Sequence, residues 1–471
     1  MKKKLSRDLS ANALQLILNQ VFGLVMFYVL STSLDKSSFG QLNLALAVLL
    51  AAFNILSLGI DQLIIKRIAS GHKVGETLSL YLYHVLFTGL LFYGVLIVGK
   101  LLFAQATGTY SLLLLIGIGK LMIFFSTPFK QVVSGMERFK VLAYMLVISN
   151  MVRCVSLLIF ALLHVVTLRN IVIIFIGGDV LELLLCMVLF RYAIKAPIAF
   201  KWDRGGYIKL LREAMPQTGV VVITSALARF DWVFIGITLS AIKLAEYSFA
   251  YKVFEMSTLP LLAIAPLLIP RFTKLFQQGS GEGKNLQLLI RTEIIIAALV
   301  GLVLNVCWAP LIDGVTGGKY GGVNTMTIFL LSLCMPLLYV NNFLWTIYFA
   351  KGQLKMILHS FIITLMVNVG GDLLLIPFYQ NEGAAFAFLL SCLAQVIFYL
   401  KQNEIGSLKV IPYTLLICTA CAAGSGFLVR IFIADVWVAM PVSVIIYTIL
   451  LVITRQIRAG YRKQLSLLLH T

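Results

Sequence analysis

The chain has 471 residues, of which 60% are hydrophobic and 12% are charged. Long apolar runs recur from end to end, and a water-soluble core cannot absorb that much apolar surface. The composition therefore predicts an all-α polytopic membrane protein. The formal net charge of +19 would favour nucleic-acid binding in a soluble protein, but its placement here argues against that class.

Hydropathy predicts about fourteen transmembrane helices, most of which have the roughly 20 apolar residues that a bilayer requires. The predicted spans are 11–34, 40–65, 77–99, 111–129, 141–163, 171–190, 214–239, 246–270, 292–312, 324–350, 356–377, 383–400, 410–429 and 436–454. The span 111–129 is the weakest of them, because Lys120 and Pro128 interrupt it.

The connecting segments carry the basic charge asymmetrically. With both termini placed in the cytoplasm, the inner segments hold 28 of the 38 Lys and Arg residues and the outer loops hold six. An excess of Lys and Arg marks the cytoplasmic side of a membrane protein. The asymmetry therefore predicts an even number of spans, cytoplasmic termini and attraction of the inner face to anionic lipid.

The longest connector, 195–212, mixes basic and aromatic residues and is predicted either to lie on the inner membrane surface or to be a solvated linker. It separates two sets of six spans that would both enter from the cytoplasm. This arrangement predicts two lobes in a parallel pseudo-two-fold repeat. The predicted units are the N-lobe 1–194, the connector 195–212, the C-lobe 213–402, and a C-terminal helix pair with its tail, 403–471.

Four cations, Lys120, Arg153, Arg229 and Lys252, fall inside predicted spans. A charge at that depth costs several kcal/mol, so it faces either a partner or a hydrated cavity. Asp179 and Glu182 share a face of the sixth span and are candidate partners of Arg153, whereas Lys252 can pair with Glu255 three residues away. We expect Arg229, near the bilayer midplane, to contact a polar and anionic substrate through its fork of donors.

Uncharged polar residues extend these candidate cavity positions along helical faces. Asn12, Gln15 and Asn19 recur at helical spacing in the first span, and Thr218 and Ser225 share a face with Arg229 in the seventh. Such stripes line hydrated cavities or hold membrane helices together through interhelical hydrogen bonds, and the pattern leaves both open.

Signatures of enzymes and cofactors are absent from the sequence. The glycine-rich segment 279–285 lacks the spacing of a phosphate-binding loop, and the five histidines form no metal-ligand motif. No predicted loop is long enough for a soluble catalytic domain. We therefore predict neither an enzyme nor a bound cofactor, and we interpret the seven cysteines, including the Cys418/Cys421 pair, as core thiols.

The chain resembles the polysaccharide transporters of the multidrug/oligosaccharidyl-lipid/polysaccharide exporter superfamily, specifically the Wzx-type lipid-linked oligosaccharide flippases. The resemblance spans most of residues 1–400. It is carried by LDKSSFGQL (34–42), LGID (58–61), GMERFK (135–140), LREAMP (211–216), FDWVFIG (230–236), EYSFAYK (246–252), Asn368, the Ile376-Pro377 pair and GAA (383–385).

The resemblance implies translocation of an undecaprenyl-pyrophosphate-linked oligosaccharide from the inner to the outer leaflet of a bacterial plasma membrane. Two lobes would alternate access around a central cationic cavity, and glycan polymerase machinery is an implied partner. Coupling to H⁺ or Na⁺ would require a titratable acid, for which Asp61, Asp231 and Glu255 are candidates. A lipid II flippase has the same span number and stays open as an alternative. A multidrug cation antiporter of the superfamily is disfavoured by the buried cations and the extra C-terminal pair.

Overall fold

In the computed structural model the described residues are 2–102, 108–194, 202–258, 261, 268, 272, 273, 276, 284–403 and 405–457. They are almost entirely helical and contain no β-strand. The helices are α1 (Lys2–Ser33), α2 (Lys36–Leu56), α3 (Ile60–Ala69), α4 (Val74–Leu102), α5 (Gly108–Gly135), α6 (Phe139–Leu162), α7 (Leu168–Leu189), α8 (Arg204–Thr238), α9 (Ala241–Ser257), α10 (Lys284–Thr316), α11 (Thr325–Ala350), α12 (Leu354–Lys401), α13 (Ile411–Phe432) and α14 (Val436–Ile453).

Eleven of the described helices are long and apolar enough to cross a membrane, which confirms an all-α polytopic membrane protein. They account for twelve of the fourteen predicted spans, because the 48-residue α12 covers two. Its backbone leaves helical geometry at Gln380, where φ is 51° and ψ is −126°, and this break falls in the predicted loop between the two spans. The first predicted span corresponds to α1, and the eighth begins in α9 and continues outside the described residues.

Several helix ends differ from the predicted limits. The weakest span, 111–129, lies in a helix that continues through Pro128 to Gly135. A proline is tolerated inside a transmembrane helix when neighbouring groups satisfy the backbone carbonyl that it frees. The predicted span 40–65 is divided between α2 and α3 by a turn at Leu58 and Gly59, both of which have positive φ. Asp35 caps α2, and its hydrogen bonds with Ser38 hold the pKa of its carboxyl below the usual range.

The chain forms two compact units, one comprising residues 1–236 and 240–245 and the other 237–239 and 246–471. Most of α8, up to Gly236, falls within the first of these units. In the first unit α5 is central and packs against α2, α3, α4, α6 and α7, while α1 packs along α6. In the second unit α10 packs against α11, α13 and α14, and α11 packs against α12.

The outer surfaces of the helices are apolar. On α4, for example, the side chains of Phe87, Leu90 and Val95 are more than half exposed. Such a surface suits hydrocarbon and not water. All seven cysteines are free thiols, and six of them are buried.

Candidate functional site

A cavity of about 410 Å³ lies within the first unit, where α2, α3, α5 and α8 meet. Its polar and charged lining residues are Asn54, Ser57, Asp61, Lys120, Thr127, Thr224, Ser225 and Arg229. Two of the four cations predicted to lie within the membrane therefore border one cavity, together with a single carboxylate. The remaining lining is apolar and includes Phe53 and Phe124.

Arg229 reaches this cavity from α8 with most of its donors unused. One guanidinium nitrogen donates to the backbone oxygen of Ala228 at 3.1 Å, and the guanidinium carbon lies 4.6 Å from the centre of the Trp232 ring. Within the described part of the chain no carboxylate lies within 4.0 Å of the Arg229 guanidinium. A guanidinium has five N–H donors, so an anionic ligand would find several of them free.

The other residues of the predicted α8 stripe separate into two groups. Ser225 lines the cavity, and its hydroxyl accepts a hydrogen bond of 2.7 Å from the side-chain nitrogen of Asn54. The Thr218 hydroxyl instead donates to the backbone oxygen of Leu58 at 2.9 Å, away from the cavity lining. Thr218 thus ties α8 to the turn between α2 and α3.

Lys120 borders the cavity from α5 but is also part of a buried ion-pair cluster. Its ammonium lies 2.9 Å from a carboxylate oxygen of Asp179 on α7. Arg153 on α6 lies 2.6 Å from the other Asp179 oxygen and 2.8 Å from Glu182. Lys130 on α5 completes the cluster with a contact of 2.9 Å to Glu182.

The cluster contains three cations and two carboxylates. All five charged groups are at least 88% buried, counted by side chain. Such burial requires that each ion be paired, because an uncompensated ion in the interior costs several kcal/mol. The predicted pairing of Arg153 with Asp179 and Glu182 is present in the structure.

One further polar residue of the predicted set, Asn19, is connected to the cluster from α1. Arg153 donates to the side-chain oxygen of Asn150 at 2.6 Å, and Asn150 in turn donates to Asn19 at 3.0 Å. Gln15, on the same helix as Asn19, is buried. The side chain of Asn12 lies outside the part of the chain that the structure describes.

The remaining candidates have local partners. Lys252 contacts Glu255 at 2.7 Å, as their spacing predicts. Asp231 is buried and accepts a hydrogen bond of 2.8 Å from the backbone nitrogen of Trp232. Asp61 lines the cavity and accepts a hydrogen bond from the Tyr81 hydroxyl.

Sequence reasoning missed Lys130, which it assigned to the inner segment that follows the predicted span 111–129. A signal was present, since two buried carboxylates three residues apart require more positive charge than one arginine. Sequence reasoning also missed Glu293 on α10. This residue is the second of the predicted span 292–312 and was not considered among the acids within the membrane. Glu293 is 6% exposed in the structure.

Residues 5–276, more than half of the chain, match the family model described as "Polysaccharide biosynthesis protein". No curated protein matches the chain in a sequence search.

Solved structures of similar fold were found. One, described as the lipid II flippase MurJ in an inward closed conformation, has a TM-score of 0.75 and 14% identity, with 94% of this chain and 98% of that chain covered. An inward-facing multidrug resistance MATE family transporter of the MOP superfamily has a TM-score of 0.64 and 14% identity, with 86% of this chain and 98% of that chain covered. A MOP superfamily transporter from Pyrococcus furiosus has a TM-score of 0.57 and 15% identity, with 85% of this chain and 94% of that chain covered.

The structural similarities agree with the family match, since all three neighbours have the same multi-helix membrane fold along nearly their whole length. The chain therefore belongs to the polysaccharide biosynthesis protein family and has the fold of the multidrug/oligosaccharidyl-lipid/polysaccharide exporter superfamily.

Proposed function

We propose that the protein is a flippase that moves an undecaprenyl-pyrophosphate-linked oligosaccharide from the inner to the outer leaflet of a bacterial plasma membrane. The oligosaccharide would be a repeat unit of an O-antigen, a capsule or an exopolysaccharide. One observation carries the proposal. Arg229 lines the cavity of the first unit and has no carboxylate partner among the described residues.

The cavity chemistry suits a pyrophosphate. A guanidinium offers parallel N–H donors that match two phosphate oxygens, and such charge-assisted hydrogen bonds are about twice as strong as neutral ones. Lys120 borders the same cavity and belongs to a cluster with one more cation than anions, so the local field favours an anion. The Ser225 hydroxyl supplies a neutral polar contact at the same wall.

Arg153, Lys252, Asn12, Gln15, Asn19 and Thr218 complete the substrate-binding set that the sequence predicts. We propose that these residues support the cavity and do not bind the headgroup directly. Arg153 and Asn19 hold the cluster that positions Lys120, and Thr218 holds the turn beside the cavity. Transport itself would proceed by alternating access, without catalysis and without a cofactor.

The charge distribution supports the proposed orientation, and the family supports the proposed partners. The 28-to-6 excess of basic residues supports cytoplasmic termini. A gradient of H⁺ or Na⁺ would couple through Asp61, Asp231 or Glu255, of which Asp61 lies at the cavity wall. Glycan polymerase machinery is the expected functional partner.

A second candidate function is translocation of lipid II, and the structural similarity to MurJ over 94% of the chain favours it. A pyrophosphate headgroup would meet the same cations, so the cavity supports both. Export of cationic drugs is less well supported, because two cations and one acid line the cavity.

The test uses purified protein in lipid vesicles with fluorescent lipid-linked oligosaccharide, lipid II or a cationic dye as the transported molecule. We expect the first to be translocated fastest. The variants are Arg229→Lys and Arg229→Ala, and the exposed Arg169 on α7 provides a control, Arg169→Ala.

Arg229→Lys retains the charge but loses the planar fork, so transport should fall sharply while protein abundance stays normal. Arg229→Ala should abolish transport with normal thermal stability, and the control should behave as the unmodified protein. Preferred transport of the cationic dye would overturn the proposal. A loss of stability in Arg229→Ala that a second change at an acid restores would instead make Arg229 part of a structural ion pair.

A further inference from the structure

Glu293 is a buried acid in the second unit for which the described part of the chain holds no ion-pair partner. It lies in the third turn of α10, is 6% exposed, and its Oε2 atom has no hydrogen-bond partner. Among the described residues no hydrogen bond or ion pair involves its carboxyl group. This contrasts with Glu182 of the first unit, which contacts two cations.

Among the described residues, the helices packed against α10 supply no cation at this depth. Neither α11 nor α14 contains any Asp, Glu, Lys, Arg or His residue. The only charged residue of α13 is Arg430, which donates to the backbone oxygens of Asn305 and Val306, and these lie 12 and 13 positions further along α10. The short segment Gly406–Val410 contributes Lys409, which is exposed.

Arg291, on α10 itself, is two positions from Glu293, and residues at that spacing do not face each other on a helix. Arg291 is buried, lies within electrostatic range of Cys418 on α13, and so faces that helix. The Tyr447 hydroxyl on α14 donates to the backbone oxygen of Ile295.

The Tyr339 hydroxyl lies on α11, which packs against α10, and it is within electrostatic range of Glu293. Tyr339 is fully buried, and its hydroxyl oxygen also has no hydrogen-bond partner in the structure. An ionised carboxylate without a partner is strongly disfavoured in such a place, whereas a protonated carboxyl group removes the charge and gains an O–H donor.

The geometry points to Glu293 and Tyr339 as a proton-binding site within the second unit. Glu293 holds one proton while it is enclosed, and it releases that proton when a change in the packing of α10 and α11 exposes it to water. The role of this proton in transport rests on the proposed flippase function. Under that function, one proton would be carried in each transport cycle. The site lies outside the cavity that contains Arg229.

The direct test does not depend on transport. Infrared difference spectra of the purified protein in lipid are recorded as the pH is raised, and the C=O stretch of a protonated carboxylic acid is followed. We expect a band that is absent in Glu293→Gln and shifted in Tyr339→Phe. Asp313→Asn is the matched control on α10, since the Asp313 carboxylate already has partners and accepts hydrogen bonds from the backbone nitrogens of Gly321 and Gly322.

Glu293→Gln keeps the shape and neutrality of the protonated acid, so thermal stability should equal or exceed that of the unmodified protein. A band unchanged in this variant would overturn the assignment. Loss of the band on adding Na⁺ at constant pH would also overturn it, because the site would then bind a metal cation. If Glu293→Gln folds poorly, Tyr339→Phe provides the test: a shifted band supports the assignment, and an unchanged band contradicts it.

The transport arm uses vesicles with and without a pH gradient. Glu293→Gln should translocate substrate at the same rate under both conditions, whereas the unmodified protein should be faster with the gradient. Absence of lipid translocation in the unmodified protein, with the band present, would refute the proposed function and leave the proton site intact. An unchanged gradient response in Glu293→Gln would refute coupling through this site.

Discussion

Replacing Glu182 with Gln tests whether charge balance holds the buried cluster together. Glu182 contacts Lys130 at 2.9 Å and Arg153 at 2.8 Å, and it accepts a hydrogen bond from the Ser149 hydroxyl at 3.0 Å. Glutamine preserves the shape of the side chain but leaves three cations facing Asp179 alone. Removing one member of a buried ion pair costs about 3–5 kcal/mol, so we expect a loss of that size in the free energy of unfolding.

Replacing Arg153 with Met should cost less, because the charges that remain are balanced. Lys120 still contacts Asp179 at 2.9 Å, and Lys130 still contacts Glu182 at 2.9 Å. The main penalty is a carboxylate oxygen left without a donor, which is worth about 1–3 kcal/mol. The double variant Arg153→Met/Glu182→Gln should be more stable than Glu182→Gln alone, since it removes one of the unbalanced cations.

The assay is unfolding by sodium dodecyl sulfate in mixed micelles, with the midpoint compared among the variants. Glu76→Gln is the control, because Glu76 pairs with Lys73 at 3.0 Å at an exposed position, where an ion pair is worth about 0.2–1 kcal/mol. A loss in Glu182→Gln no larger than in this control would refute the charge-balance argument. So would equal losses in Glu182→Gln and Arg153→Met.

Two other predictions concern orientation and close packing. On a background without native cysteines, Val165→Cys should be labelled from outside whole cells and Lys73→Cys only after lysis, and the opposite pattern would reverse the topology. Gly178→Ala should destabilise the protein by about 1–3 kcal/mol, because its Cβ would lie 2.3 Å from Arg153 Cγ. Gly177→Ala, whose Cβ meets nothing within 4 Å, should be neutral or stabilising, and equal thermal stability of the two variants would contradict the packing argument.

The helical membrane fold could be predicted from composition, because the length of an apolar run sets its capacity to cross a bilayer. Local pairings were also predictable. Asp179 and Glu182 share a helix face by their spacing, and Lys252 and Glu255 are close enough on one helix to meet. Both predictions depend only on geometry within a single element.

Tertiary neighbours could not be predicted from the same spacing. Thr218 shares a face with Ser225, but it lies about 10 Å lower along α8 at 1.5 Å per residue. At that depth it meets the backbone of Leu58 and not the cavity. Helical periodicity gives the direction in which a side chain points, whereas its partner depends on which helix lies there and where that helix breaks.

Arg153 and Arg229 are the cations that matter most for the proposed function. Both are single arginines within apolar spans, but the spacing predicts acid partners for Arg153 and directs Asp231 away from Arg229. The acids of Arg153 lie on the helix that follows it and contact it at 2.6 and 2.8 Å. Asp231, two positions from Arg229, is instead buried and accepts a backbone hydrogen bond from Trp232.

The two arginines therefore differ in what their charge can still do. The charge of Arg153 is neutralised by its ion pairs, which hold α6 against α7 and keep Asp179 in contact with Lys120. Arg229 contacts only a carbonyl oxygen and an aromatic ring among the described residues. A cation–π contact contributes about 0.5–2 kcal/mol, and the partly exposed guanidinium leaves its other donors open to water or to an anionic ligand in the cavity. Under the proposed function Arg229 would contact the transported headgroup, and Arg153 would position Lys120 at the wall of the same cavity.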